Sequence, residues 1–245
     1  MTSRSIWIAI IASVVSFAAG FLFANSLNRS ELLSRQETDT AKPGQLTAAG
    51  PSDLTLTAEE IQTKIASADA NPGNFTFQKN LGMSLYRYAA MKQDASILPD
   101  SLRIMERALA IEPADRDLQI AVGNAYFDKG YFNKDNASLL KAREFYRRVL
   151  VKTPGDVDVR ADLALSYFLH DPPDLTTAVA EFEKGLEINP KHERALQFLT
   201  QTYIKRNEVE KAAETLERLK QANAANSAIG ELTTLLANIG QVISK

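Results

Sequence analysis

Two histidines, scattered carboxylates and no cysteine are what this sequence offers to chemistry. His170 precedes Asp171-Pro172-Pro173 and His192 follows Pro190, so each sits where proline interrupts regular structure. Both read as solvent-facing turn residues rather than general bases or metal ligands. Without thiols there is no disulfide, thiolate nucleophile, thiol-linked haem or cysteine-based zinc site. No glycine-rich phosphate loop, His-Glu-x-x-His or Gly-x-Ser-x-Gly segment occurs. The expectation is a non-enzyme that holds no cofactor and no metal. A net charge of −2 and a pI near 5.8 lack the basic footprint that nucleic acid requires.

What remains is binding, and the elements that would position a binding face follow from periodicity. In Val157 to Pro190, Leu163, Ala164 and Tyr167 fall three or four apart, and so do Ala178, Phe182, Gly185, Leu186 and Ile188. That spacing puts each set on one face of a helix, and Asn189-Pro190 ends the second helix because proline lacks a donor and clashes with the preceding turn. The hairpin recurs, marked by Pro72, Pro113, Pro154 and Pro190 at intervals of 41, 41 and 36 residues. First helices repeat Leu81-Gly82-x-x-Leu85-Tyr86, Val122-Gly123-x-x-Tyr126-Phe127, Leu163-Ala164-x-x-Tyr167-Phe168 and Leu199-Thr200-x-x-Tyr203-Ile204. Second helices carry Ala142 and Tyr146, Ala178 and Phe182, and Ala212 and Leu216; Ser101 and Met105 depart most from this pair.

These motifs resemble the tetratricopeptide repeat (TPR) family over roughly residues 60–224. The resemblance implies an all-α, TPR-like solenoid of about four helical hairpins. Thr57 to Ala70, with Thr57 and Glu60 as a capping box, and Asn226 to Val242 are expected to cap its two ends. The usual repeat is about 34 residues, so Ala90 to Pro99 and Gly130 to Ala137 read as insertions that lengthen inter-helix turns. The resemblance also implies that first helices line a concave groove for a protein or peptide partner. Its expected lining is Lys79, Met83, Tyr86, Asn124, Phe127, Leu165, Phe168, Gln201 and Ile204, an apolar floor with two amides able to meet a peptide backbone. The same aromatics also fit packing within the repeat. Met83, Ala121, Asp158 and Asp162 stand where a clamp for a terminal carboxylate would want cations or amides. Asp117, Asp128, Asp158 and Asp162 make the middle repeats acidic, suiting a basic ligand segment or a solvated face.

No charged residue occurs from Ser5 to Asn28, and the run is apolar and long enough for a transmembrane helix, which needs about 20 residues. Residues 1–27 are therefore expected to anchor the chain in a lipid bilayer, a cleavable signal peptide and a secreted soluble form being the alternatives. Ala12, Ser16, Gly20 and Ala24 form a stripe of small residues where a second membrane helix would pack, as in a homo-oligomer. Residues 28–56 read as a flexible linker and 57–245 as the repeat domain. This arrangement looks like bacterial inner-membrane assembly factors with a periplasmic repeat domain, those of cytochrome c maturation included. The expected function is thus a single-pass, membrane-tethered interaction scaffold; the alternative is a structural module that oligomerises without a dedicated peptide ligand.

Overall fold

The computed structural model describes residues 56–243, so the anchor, its small-residue stripe and nearly all of the linker lie outside the described residues. Ten α-helices follow one another: α1 (Ala58–Ala70), α2 (Phe75–Lys92), α3 (Leu98–Ile111), α4 (Arg116–Asn133), α5 (Asn136–Lys152), α6 (Val157–Phe168), α7 (Leu175–Ile188), α8 (Glu193–Lys205), α9 (Val209–Ala222) and α10 (Ile229–Ile243). A 3-10 turn, Ala95–Ile97, precedes α3. Among the described residues there is no strand, and no helix is long and apolar enough to cross a membrane. The chain divides between Pro113 and Ala114 into two compact units. The first holds the hairpin α2–α3 behind α1. The second holds the hairpins α4–α5, α6–α7 and α8–α9, followed by α10.

Helix starts are written in the sequence as a proline followed two residues later by a capping side chain. Asn74, Asp115, Asp156 and His192 each accept the backbone N–H of the residue three further on, at 3.1, 2.9, 3.0 and 3.2 Å. Each bond satisfies one of the donors a helix leaves open at its N-terminus. Thr57 and Glu60 close the expected capping box on α1, with the Thr57 N–H donating to Glu60 Oε2 at 2.7 Å and the Glu60 N–H to Thr57 Oγ1 at 3.2 Å. Three first helices end on a left-handed residue, Gln93, Lys134 and Asn207. The next N–H then turns back to a carbonyl five residues earlier: Asp94 to Ala89 at 2.9 Å, Asp135 to Gly130 at 2.9 Å and Glu208 to Tyr203 at 3.0 Å.

The residues expected to lengthen turns lengthen helices instead. α4 runs 18 residues and α5 runs 17, against 12 and 14 for α6 and α7, while the turn between α4 and α5 is only Lys134-Asp135. α2 likewise runs 18 residues before the 3-10 turn. The cause is packing. Gly130 lies against Leu139, where a Cβ would stand 2.8 Å from Leu139 Cγ, so the apolar seam between α4 and α5 continues one turn further.

In the first two hairpins the small residue of the first helix is a point of close approach. A Cβ on Gly82 would lie 2.6 Å from Met105 Cγ and 3.1 Å from the Met105 backbone nitrogen; one on Gly123 would lie 2.9 Å from the Tyr146 ring. Ser101, in place of the usual alanine, donates its hydroxyl to the Gly82 carbonyl at 2.9 Å, which makes the polar substitution tolerable in a buried seam. α6 and α8 carry Ala164 and Thr200 at this position, both fully buried. Gly82→Val and Gly123→Val are each expected to lower stability by about 2 kcal/mol through overpacking, read as a fall in thermal midpoint. Gly73→Ala, with nothing within 4 Å and no positive φ, is expected to leave it unchanged or raise it by about 0.5 kcal/mol.

In the first unit α1 is fastened by polar contacts as well as by Ile61, Ile65 and Ala68. Asp69 pairs with Arg103 and, at 2.8 Å, with Arg107, while Gln78 Nε2 donates to the Ala68 and Asn71 carbonyls at 2.6 and 2.8 Å. Hydrogen bonds from Arg103 and then Arg107 hold the Asp69 carboxyl at a pKa of about 2, below the usual 3.8. A depressed pKa means the contribution is complete above the unfolded value and is lost as pH falls through the folded one. Hydrogen exchange of α1 is therefore expected to accelerate between about pH 4 and pH 2, and Asp69→Asn to remove that pH dependence.

Candidate protein-binding face

The residues expected to line a groove fall on first helices in both units. Lys79, Met83 and Tyr86 are on α2 in the first unit. Asn124 and Phe127 (α4), Leu165 and Phe168 (α6) and Gln201 and Ile204 (α8) are in the second, where α4 touches α6 and α6 touches α8, so these three first helices lie side by side. Residues seven apart share a helical face, which adds Asp117 below Asn124 and Asp158 below Leu165. Their side chains are 51% and 60% exposed.

The apolar members pack into the chain. Phe127, Leu165, Phe168 and Ile204 keep 3%, 1%, 2% and 6% of their surface, and Tyr86 in the first unit keeps 7%. Phe168 meets Phe198 edge-on at 6.3 Å between ring centroids, and Lys205 Nζ lies over the Phe168 ring, 4.5 Å from its centroid. Asn124 is half-buried, and its Oδ1 accepts the Tyr146 hydroxyl at 3.0 Å. Lys79 lies 5.9 Å over the Phe75 ring. What this face offers a ligand is its polar margin rather than a bare aromatic floor.

The acidity expected of the middle repeats is partly internal. Asp162 is buried and paired with Arg194, which also donates to the Asp158 carbonyl at 3.0 Å. His192 is not a solvent-facing turn residue. Its Nδ1 accepts the Ala195 N–H, which leaves Nε2 as the donor to Asp158 Oδ1 at 3.1 Å, and its side chain is only 14% exposed. His170 is half-exposed, its Nδ1 3.0 Å from the Pro172 carbonyl.

Sequence reasoning missed the buried polar residues. Gln197 is 1% exposed with its Nε2 unpaired; Gln201, one turn on and expected as an amide of the groove lining, is itself buried at 6% exposure. Arg143 is buried on α5, where Nε donates to Ser166 Oγ at 3.0 Å, Nη2 to the Ser166 carbonyl at 2.6 Å, and the guanidinium lies 4.0 Å over Tyr167. Burial lowers its pKa from the ordinary arginine value. The available signal was position: Arg143 follows Ala142 of the Ala-x-x-x-Tyr pair directly, and Arg194 sits on the face shared by Gln197 and Gln201. Among the described residues no group of three or more His, Cys, Asp or Glu could hold a metal ion.

Comparison with known proteins identifies the repeat. The tetratricopeptide repeat family profile matches residues 174–237. No curated protein matches the chain. Among solved structures, the chain is similar to MamA protein, at 16% identity and a TM-score of 0.52 over 67% of this chain and 81% of that one. It is similar to a MamA fragment from Desulfovibrio magneticus RS-1, at 14% identity and 0.52 over 69% and 86%. A third is the C-terminal part of a TPR repeat-containing protein from Cytophaga hutchinsonii, at 19% identity and 0.51 over 71% and 65%. At these identities the likeness is one of fold. Residues 174–237 match the tetratricopeptide repeat, and the described helices share the fold of these solved repeat proteins.

Proposed function

We propose that this chain is a non-catalytic scaffold that binds a protein partner along the first helices of its repeats while an N-terminal anchor keeps it at a membrane. The observation that carries the binding reading is the side-by-side array of α4, α6 and α8, which presents Asp117, Asn124 and Asp158 along one face. Exposed carboxylates around a half-buried amide suit a basic segment whose backbone meets the amide. The apolar run from Ser5 to Asn28 supports the anchor, and a linker of about 25 residues would give the repeats a reach of about 25–30 Å from the bilayer. The anchor raises the local concentration of scaffold beside a membrane-bound partner. Such a protein would serve an assembly process of the bacterial envelope from the periplasmic side, cytochrome c maturation among the candidates.

The test is a crosslinking pull-down from membranes with the full chain beside an Asp117→Lys, Asp158→Lys variant of matched circular dichroism. A partner captured at least about tenfold less by the variant is the expected result, since reversing exposed charges slows encounter and adds like-charge repulsion. Equal capture would move the binding face elsewhere. Phe168→Ala is a poor probe here, because emptying a 2%-exposed ring position is expected to cost about 3–5 kcal/mol and would unfold the repeat before it informed on binding.

A further inference from the structure

The charge of this protein is unevenly placed, and α5 is where it departs most from the whole. Its 17 residues, NASLLKAREFYRRVLVK, hold five cations and one carboxylate in a chain whose net charge is −2. Ala142, Tyr146, Val149 and Leu150 are buried against α4, and Arg143 is consumed by Ser166 and Tyr167. The opposite arc faces outward. At 100° per residue, Leu140, Glu144, Arg147 and Val151 fall within about 60° of one another, with Lys141, Arg148 and Lys152 along one side.

Two features of that arc are unusual together. Leu140 is 50% exposed and Val151 is 83% exposed, on one line three helical turns apart, and Val151 stands among Arg147, Arg148 and Lys152. The carboxylate on this arc, Glu144, is 61% exposed and lies 3.9 Å from Arg148, at the outer limit of an ion pair. Arg147 reaches the Tyr167 hydroxyl, a neutral partner that leaves its charge in place, and Lys141 reaches the Tyr126 hydroxyl at 3.1 Å. On α7, Glu181 is neutralised by Arg160 and Lys184 at 2.8 and 2.7 Å.

We propose that the outward arc of α5 is a peripheral contact for an anionic phospholipid bilayer. Phosphate headgroups would meet Arg147, Arg148 and Lys152 while Val151 enters the interface between them and Leu140 enters it three turns away. A flat helical surface with isolated apolar side chains set among long cationic stems matches a lipid surface, where lysine and arginine bury their methylenes and keep their charges at headgroup level. An acidic polypeptide would share the charge preference, but it gains little from Leu140 and Val151 without a recess to receive its own side chains. The proposal rests on the tethered reading in one respect, that the linker keeps the repeats within reach of lipid. It would fix which side of the repeat domain faces the bilayer.

The chain contains no cysteine, so Val151→Cys gives a single attachment point for an environment-sensitive fluorophore. The labelled full chain is reconstituted in phosphatidylcholine vesicles with and without about 30% phosphatidylglycerol, a level that sets up a negative surface potential. The expected result is a blue shift, and quenching by spin-labelled lipid, in the anionic vesicles alone. Both should be abolished at about 0.5 M salt, where screening is nearly complete within a headgroup's width. Arg148→Glu with Lys152→Glu, two substitutions on the solvent side, should weaken the response at least tenfold at unchanged melting temperature. Equal emission in both vesicles, or a response that survives the charge reversal, would overturn the proposal. So would an equal shift produced in neutral vesicles by soluble polyglutamate, which would assign the face to acidic protein. Alkaline carbonate extraction scores the anchor separately: a chain washed off while the shift persists discards the anchor, and a chain retained without a shift discards the α5 contact.

Discussion

Everything in these repeats depends on how closely a first helix can approach its second. Gly82 over Met105 and Gly123 over Tyr146 leave no room for a methyl group, so the helices meet backbone against side chain. At that separation side chains of the two helices pack together, as where the Tyr126 ring stacks on that of Phe145 with centroids 6.1 Å apart. The tight turns that follow, through Gln93, Lys134 and Asn207, can hold a strained left-handed residue because the packing on each side over-determines the path. Repeats three and four relax the constraint to Ala164 and Thr200. α6 also abandons the left-handed turn, and its chain passes instead through Leu169 to Pro173, where the Asn136 side chain clasps Asp171 by donating to its carbonyl and accepting its N–H.

Between hairpins of the second unit the fastening is polar. Arg143 reaches from α5 to α6, and Arg194 from α8 to α6, each buried and each bonded to a carbonyl together with a side-chain partner, though Arg194 Nε stays unpaired. Two arginines thus grip one helix from opposite neighbours. Breaking either pair would leave an uncompensated charge or carboxylate inside, which is far costlier than the pair's net worth. Their value is register: an apolar seam tolerates sliding by a turn, whereas a guanidinium aimed at one carbonyl does not.

Much of the fold could be read from punctuation. Prolines followed two residues later by Asn74, Asp115, Asp156 and His192 marked helix starts because both ends of a helix need partners for open backbone groups. Small residues three before an aromatic marked the close approaches. The extra residues of the first two repeats were misread as turns, since nothing in periodicity separates a longer helix from a longer loop when the added residues are apolar and Gly130 sits among them. The binding face was less legible still. Phe127, Phe168 and Ile204 carry the right type at the right spacing, yet their burial is decided by tertiary neighbours such as Phe198 that lie in another repeat. The polar margin of that face and the cationic arc of α5 depend on which charges already have partners, a property of contacts rather than of order along the chain.

The grip of Asp69 on Arg103 and Arg107 has a mechanical side. α1 is the first helix of the described residues, so a pull on the chain ahead of it would enter the fold there. The hairpins beyond it are zipped over long seams, while α1 meets α2 over a short one closed by Ile61, Ile65 and Ala68. Guanidinium forks on a single carboxylate resist shear along the helix axis better than apolar contact does, because they have direction. The two arginines would therefore hold the register of α1 against α3 under such a pull, where its apolar contacts alone would let it slide.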